Sequence, residues 1–269
     1  MDTTYWHKQT ESEPLYPDLL WSRPENKRHA GKLLIIGGNS SGFATVAESY
    51  NAAVKSGAGA VRVLLPDILQ KTVGLDSLKS DFAPSTPSGG FSGRALAEFL
   101  SASSWPDGVL LAGDFGRNAE TAIVLERFIG SFDGQITLAN DAIDNFVKLP
   151  EILFSRSNTT LVVNLSQLQL LVRNLPVDKP ITFQMNLLQL IETMHDLSST
   201  YLANIVTAHQ HQIIVAAAGQ VSTTKLQPEP NRWQTGTAAR MAVWWLQNPS
   251  RAFAALCTGA VWRSEHLQL

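Results

Sequence analysis

The feature that most constrains this chain is a short apolar run that ends abruptly in glycine: Lys32-Leu33-Leu34-Ile35-Ile36, followed by Gly37-Gly38-Asn39-Ser40-Ser41-Gly42. A continuous apolar run of this length, bounded by turn residues, reads as a buried strand feeding a loop. Behind the loop, Val46, Tyr50, Ala53 and Val54 recur at three- and four-residue spacing between Ala44 and Ser56, and the pattern stops at Gly57. That is a helix with a glycine just past its end. Val61-Arg62-Val63-Leu64-Leu65 then closes a βαβ unit, whose strands can pair only in parallel through a crossover.

The alternation continues along the chain. Gly108 to Leu111 reads as a strand, Asn118 to Ile129 as a helix, and Ile136 to Leu138 and Thr160 to Val163 as further strands. Strands alternating with helices predict an α/β fold whose mostly parallel sheet is covered on both faces. Between Phe183 and Leu197, residues Leu187, Leu190, Ile191, Met194 and Leu197 form one helical stripe, which is expected to face the core. Ile205-Val206, Ile213-Ile214-Val215 and Gln220-Val221-Ser222 are short enough to be antiparallel strands near a sheet edge. Two helices, Thr237 to Leu246 and Arg251 to Trp262, are separated by Asn248-Pro249. The Pro/Gly/Ser-rich stretch from Pro84 to Gly93 is expected to be a loop at a mouth. One domain over residues 26–269, with residues 1–25 as an appended arm, accounts for these elements.

Composition excludes several classes of function. The 269 residues carry 21 Lys plus Arg against 23 Asp plus Glu, a formal charge of −2, with 44% hydrophobic and 16% charged residues. Such a chain is globular, and no excess of basic charge is left for nucleic acid or a membrane surface. The single cysteine, Cys257, cannot form an internal disulfide, which fits a reducing cytoplasm. Met1 to Pro24 is polar and acidic, unlike a secretory signal, and no apolar run approaches the ~18 residues of a membrane span.

Three segments can carry chemistry. Gly37-Gly38-Asn39-Ser40-Ser41-Gly42 and Ala112-Gly113-Asp114-Phe115-Gly116-Arg117 both follow strands, and loops at the carboxyl ends of parallel strands are where open α/β sheets bind ligands. They serve equally as tight strand-to-helix turns; neither has a dinucleotide fingerprint or a P-loop lysine. The third, Gln234-Thr235-Gly236-Thr237-Ala238-Ala239, opens an apolar helix near Thr237, where unpaired N–H groups and the helix dipole favour an anion. Arg240 lies close behind and is expected to be solvated. Asp141 follows a strand and could cap a helix or reach a hydroxyl or Mg²⁺. His209 and His211 stand two apart, on one face if the segment is a strand, but no third ligand at zinc spacing accompanies them. Trp233, Trp244, Trp245 and Trp262 gather near the carboxyl end, suited to core or oligomer packing or to stacking on a base.

Taken in order, these elements resemble the ribokinase-like family of ADP- or ATP-dependent NAD(P)H-hydrate dehydratases, from about Arg23 to Trp262. The family's Asp-Ala-Gly entry and Gly-Gly-Ser turn are matched by His29-Ala30-Gly31 and Gly37-Gly38-Asn39-Ser40, and its Gly-Ala-Gly turn by Gly57-Ala58-Gly59. Its Gly-Pro-Gly-Leu-Gly loop resembles Ala112-Gly113-Asp114-Phe115-Gly116, and its Asp-Ala-Asp-Ala-Leu segment resembles Ala139-Asn140-Asp141-Ala142-Ile143. Its Gly-Thr-Gly-Asp signature falls on Gly236-Thr237-Ala238-Ala239. The resemblance implies a three-layer α/β/α sandwich and an enzyme that uses ADP or ATP with Mg²⁺ to phosphorylate the hydroxyl of hydrated NADH or NADPH, then eliminates phosphate. It further implies a nucleotide or anion site at Gly236, Thr237, Ala238 and Ala239. A substrate site for an NAD(P)H-like molecule would take Gly38, Asn39, Ser40, Gly113, Phe115, Gly116 and Asp141.

The departures bear on catalysis. Ala239 stands where the family has its catalytic Asp. Asn164-Leu165-Ser166-Gln167 replaces a Thr-Pro-His-Pro-Gly-Glu segment, Thr207-Ala208 replaces a Lys-Gly, and Glu229-Pro230-Asn231-Arg232-Trp233 replaces Gly-Asn-Pro-Gly-Met. Loss of a positioned general base costs about 10²–10⁴ in rate. The leading expectation is therefore a degenerate homologue that keeps a nucleotide or dinucleotide site with catalysis weakened or lost. Two others stand beside it: an active dehydratase whose base has moved to Asp114 or Asp141, and a non-catalytic scaffold or homo-oligomer subunit joined through the tryptophans.

Overall fold

The structure is a computed structural model that describes residues 4–72, 79–177, 179–225 and 233–262. Glu229 to Arg232, whose departure from the family pattern is noted above, lie outside the described residues.

Ten strands among the described residues form one sheet: β1 (Trp6–Gln9), β2 (Lys32–Gly37), β3 (Ala60–Pro66), β4 (Ser80–Ala83), β5 (Gly108–Gly113), β6 (Gln135–Ala139), β7 (Thr159–Val162), β8 (Asn204–His209), β9 (Gln212–Ala217) and β10 (Gln220–Lys225). Their order is β1-β10-β9-β8-β7-β6-β5-β2-β3-β4. The run from β8 to β4 is parallel throughout, so the strands at Leu33, Val61, Val109 and Ile136 share one parallel sheet as the βαβ pattern requires. Only β9 runs against its neighbours β8 and β10.

The helices are α1 (Pro17–Trp21), α2 (Ala44–Lys55), α3 (Leu96–Ala102), α4 (Ala119–Ser131), α5 (Glu151–Phe154), α6 (Leu165–Val172), α7 (Leu187–Thr200), α8 (Trp233–Gln247) and α9 (Ala252–Val261). Side chains alternate across a strand, and β2 shows what that does here: Leu34 and Ile36 join the core under α3, α4, α6 and α7, while Leu33 and Ile35 join the core under α2, α8 and α9. Both faces of the central strands are thereby buried, which explains runs of apolar residues in place of alternation. On α7 the expected stripe is buried at Leu190, Ile191, Met194 and Leu197, with Leu187 partly covered at its start.

Two turns at the β8–β10 meander place both central residues at positive φ: Gln210 and His211 at 47° and 60°, Ala218 and Gly219 at 48° and 75°. These values fit the two-residue primed hairpin turn that matches strand twist. His211 is thus in a turn and His209 on a strand, its Nε2 3.0 Å from the Met185 carbonyl oxygen. The two histidines do not share a strand face, which removes the arrangement under which they could act as a ligand pair.

Two elements of residues 4–25 pack onto the rest of the sheet and helices. β1 pairs in parallel with β10. Gln9 is buried beside it and donates from Nε2 to Thr224 Oγ1 and to the Cys257 carbonyl, both at 2.8 Å, while its Oε1 accepts from Leu15 N at 3.2 Å. α1 sets Leu19 into a cluster with Trp244, Trp245 and Trp262. Those three tryptophans are buried within the chain itself, the core packing that was one of the roles expected of them. Cys257 is fully buried, its thiol pushed up to about 12 by burial. Among the described residues no helix is long and apolar enough to cross a membrane.

Gln9 joins the first strand to β10 and α9 by two buried hydrogen bonds, so Gln9→Ala is expected to cost about 1–3 kcal/mol through unpaired buried groups. It should also speed proteolysis within the first 25 residues. An unchanged urea midpoint together with unchanged cleavage would show that the strand is held otherwise.

Candidate functional site

The carboxyl ends of β2, β5, β6 and β7 meet along one edge of the sheet, and backbone crowding governs their approach. Gly38 N donates to the Gly113 carbonyl at 3.0 Å. A Cβ on Gly37 would lie 2.3 Å from that same oxygen, so only glycine fits there. A Cβ on Gly113 would lie 2.9 Å from Asn140 Cβ and 3.2 Å from Asp141 Oδ1, and Gly113 has φ of +121°. A Cβ on Gly116 would lie 3.1 Å from Asn39 Nδ2.

Asn39 and Gly42 exchange backbone hydrogen bonds of 3.0 Å each, and Asn39 Oδ1 accepts from Ser41 N at 2.7 Å, closing a tight turn. Ser40 is exposed on that turn and donates from its N–H to the Gly89 carbonyl at 3.1 Å and from Oγ to the Ser88 carbonyl at 3.2 Å. The Pro84 to Gly93 loop therefore closes on this edge of the sheet, as its composition suggested.

Both candidate acids are already bonded within the chain. Asp114, at φ +59°, accepts from Thr45 N at 2.8 Å in the first turn of α2. Phe43, the N-cap of that helix, offers no side-chain bond, so Asp114 supplies the negative charge that a helix start favours. Asp141 accepts from Phe115 N at 3.3 Å with Oδ1 and from Gly116 N at 2.9 Å with Oδ2. Burial pushes its carboxyl above the usual range against the opposing effect of those two donors, and Asp114 and Asp144 push the same way as burial. The Phe115 ring is in the core against Phe91, so this residue reaches the site through its backbone.

Between β5, β6, β7 and α8 runs a seam of amides. Asn140, at φ +54°, donates from Nδ2 to the Ala112 carbonyl at 2.6 Å and to Thr235 Oγ1 at 3.1 Å. Its own carbonyl accepts from Gln167 Nε2 at 2.8 Å, which also donates to Asp144 Oδ1 at 2.9 Å. Gln234 Nε2 donates to Gln167 Oε1 at 2.9 Å and to the Val162 carbonyl at 3.1 Å. Gln167 is placed by a capping box with Asn164 at the start of α6. Gln234 and Thr235 belong to the third segment expected to carry chemistry, whereas Asn140 and Gln167 stand in the sequence only as parts of matched or departing segments and were not expected to bond across the site.

These contacts bring Gly38, Asn39, Gly113, Gly116, Asn140, Asp141 and Thr235 to one edge, with Gly236 the next residue along. Within the described residues α8 already runs from Trp233, so the position near Thr237 where a start was expected lies inside the helix. The i to i−4 rule then engages the N–H groups of Thr237, Ala238 and Ala239 inside the helix. Thr237, Ala238 and Ala239 are buried, and the two alanines belong to the core under α8 with Leu110, Ala112 and Ala139. Gly236 is half-exposed. Arg240 folds back, donating from Nη2 to Thr237 Oγ1 at 3.0 Å, so it is bonded within its own helix.

With this geometry in place the chain can be set beside known proteins. No protein-family model and no curated protein matches the sequence significantly. Solved structures do match. A ribokinase-like superfamily protein from Enterococcus faecalis superposes with a TM-score of 0.69 at 16% identity, covering 97% of this chain and 88% of that one. This chain has a ribokinase-like fold. An ADP/ATP-dependent NAD(P)H-hydrate dehydratase from Bacillus subtilis, co-crystallised with ATP and Mg²⁺, superposes with a TM-score of 0.63 at 11% identity, over 92% of this chain and 86% of that one. A pyridoxal kinase from Staphylococcus aureus follows at 0.51 and 11%, over 85% and 84%. Likeness at such identities carries architecture, and the ribokinase-like architecture brings strand ends to the edge where the amide seam lies; it does not carry activity.

The raised carboxyl of Asp141 has a consequence for stability. Its folded pKa lies above the ordinary 3.8, so the folded chain holds this proton more tightly than the unfolded chain. That stability is fully present below the unfolded pKa and is lost as pH rises through the folded one. Asp141→Asn removes the titration, and its stability relative to the parent should rise as pH is raised above about 4 in urea melts. Parallel profiles for the two proteins would contradict the assignment.

Proposed function

We propose that the chain is a degenerate homologue of the ADP- or ATP-dependent NAD(P)H-hydrate dehydratases, binding a nucleotide or dinucleotide at this edge with catalysis weakened or lost. One observation carries the reading: Ala239, at the position of the family's catalytic Asp, is fully buried within α8, and the side chains bonded at the start of that helix are neutral amides and a hydroxyl. Amides and hydroxyls orient a ligand by hydrogen bonds, but they do not take a proton from a substrate hydroxyl at neutral pH. The resemblance at Gly236 to Ala239 and the likeness to a dehydratase crystallised with ATP support the nucleotide part.

In this reading a phosphate lies against the amino-terminal part of α8, where Asn140 orients the Thr235 hydroxyl. Mg²⁺ fits less well. Asp114 and Asp141 accept backbone N–H groups and Asp144 accepts from Gln167. Among the described residues no group of three or more His, Cys, Asp or Glu could hold a metal. The same bonds weigh against a relocated base, because a carboxylate must come within about 2.6–3.2 Å of the substrate hydroxyl, and either Asp would have to surrender its backbone donors to do so.

Calorimetric titration with ADP, ATP, NADH and NADPH, paired with turnover of hydrated NADH, tests the reading. The expected result is binding of at least one nucleotide, with turnover reduced at least about 10²-fold from a family enzyme. Ala239→Asp is expected to leave turnover low and to destabilise on the order of 3 kcal/mol, because the new carboxylate is buried without a partner. Robust wild-type turnover, or no heat with any nucleotide, would overturn the reading.

A further inference from the structure

The glycine loop after β5 has the features usually taken as preparation for an anion: two glycines at positive φ and backbone N–H groups turned toward one point. In this chain that point is taken. Phe115 N and Gly116 N both donate to the Asp141 carboxylate. Gly113, two residues before Phe115, is without a Cβ where one would press on Asn140 Cβ at 2.9 Å and on Asp141 Oδ1 at 3.2 Å. The glycine that could admit a ligand is thus required to admit the protein's own carboxylate.

The segment that delivers Asp141 is held for that purpose. Asn140 adopts φ +54°, a region that costs a non-glycine residue about 1–3 kcal/mol. It is fixed there by bonds from its side chain to Ala112 and Thr235 and to its carbonyl from Gln167. Asp114 repeats the arrangement next door, placing its carboxylate on the first turn of α2 through Thr45 N. Two neighbouring sets of anion donors therefore each hold a carboxylate of this chain, and Asp144 adds a third acid to the same surroundings.

We propose that Asp141 is a specificity-determining residue: its side chain occupies the anion donors of the Gly113 to Arg117 loop, so the loop excludes phosphate and accepts only an uncharged part of a ligand. This rests on the reading that the carboxyl edge binds ligand, and it divides that edge in two, with anionic groups confined to the α8 side. A phosphate that approached the loop would meet donors already bonded and three acidic side chains nearby. An uncharged hydroxyl or amide can instead donate to the lone pairs of Asp141 that the backbone leaves open.

The test follows the amide resonances of Phe115 and Gly116 by NMR while inorganic phosphate is added to the full chain. In the parent protein neither resonance is expected to move at millimolar phosphate. Asp141→Ala frees both donors and should bind phosphate at least about tenfold more tightly, with Gly116 shifting most. Asp141→Asn keeps the shape of the side chain, removes its charge and sets an NH₂ against one donor; it should gain phosphate in the same direction, which keeps the test decisive if the alanine variant does not fold. Saturable movement of Gly116 in the parent, or no gain in either folded variant, would overturn the proposal. A gain in the variants by a chain that binds no nucleotide would sustain it and overturn the nucleotide reading, so the two failures are distinguishable.

Discussion

The absence of a side chain at Gly37 and Gly113 is the constraint on which the site depends. The Gly113 carbonyl occupies the space where a Gly37 Cβ would stand, and it accepts from Gly38 N. Gly113 in turn leaves room for Asn140 and Asp141. These contacts draw the ends of β2, β5 and β6 close enough for side chains from one loop to bond the backbone of the next. Close packing of this kind tolerates little insertion, since an added methylene must displace backbone where no flexible side chain can yield.

From that approach follows a seam whose partners belong largely to the chain itself. Asn140, Gln167, Gln234 and Thr235 link β5, β6, β7, α6 and α8 through neutral groups. Such a network stabilises when its members are paired and is costly when half-paired, so a ligand binding here has to replace bonds as well as make them. Modest affinity and little acid–base capacity are the natural properties of an edge built this way. α1 acts elsewhere, packing Leu19 into the tryptophan cluster formed with α8 and α9.

Much of the architecture could be read from sequence because its signals are local. The apolar run Leu33 to Ile36 before Gly37, and the stripe from Leu187 to Leu197, each carry their own periodicity, and the structure places both in the core. The primed turns were hidden, since Gln210-His211 and Ala218-Gly219 are not the Asn-Gly or Asp-Gly pairs that announce them. The first strand was equally hidden, because its four residues pair with β10 more than 200 positions away. At the site, the glycine loops and Asp141 were legible as residues, but their mutual bonding was not: a glycine that admits a ligand and a glycine that admits the protein's own carboxylate look the same in sequence. Gly236 and Thr237 resemble a helix opening, whereas α8 already runs through them.

A crystal structure of the chain grown with ADP tests the central claim most directly, since it reports where the nucleotide lies and what it displaces. The account predicts phosphate density at the amino-terminal part of α8, beside Thr235 and Asn140, with Asp141 still bonded to Gly116 N and no density in the loop after β5. Phosphate bound at Phe115 and Gly116, with Asp141 expelled from the loop, would contradict it.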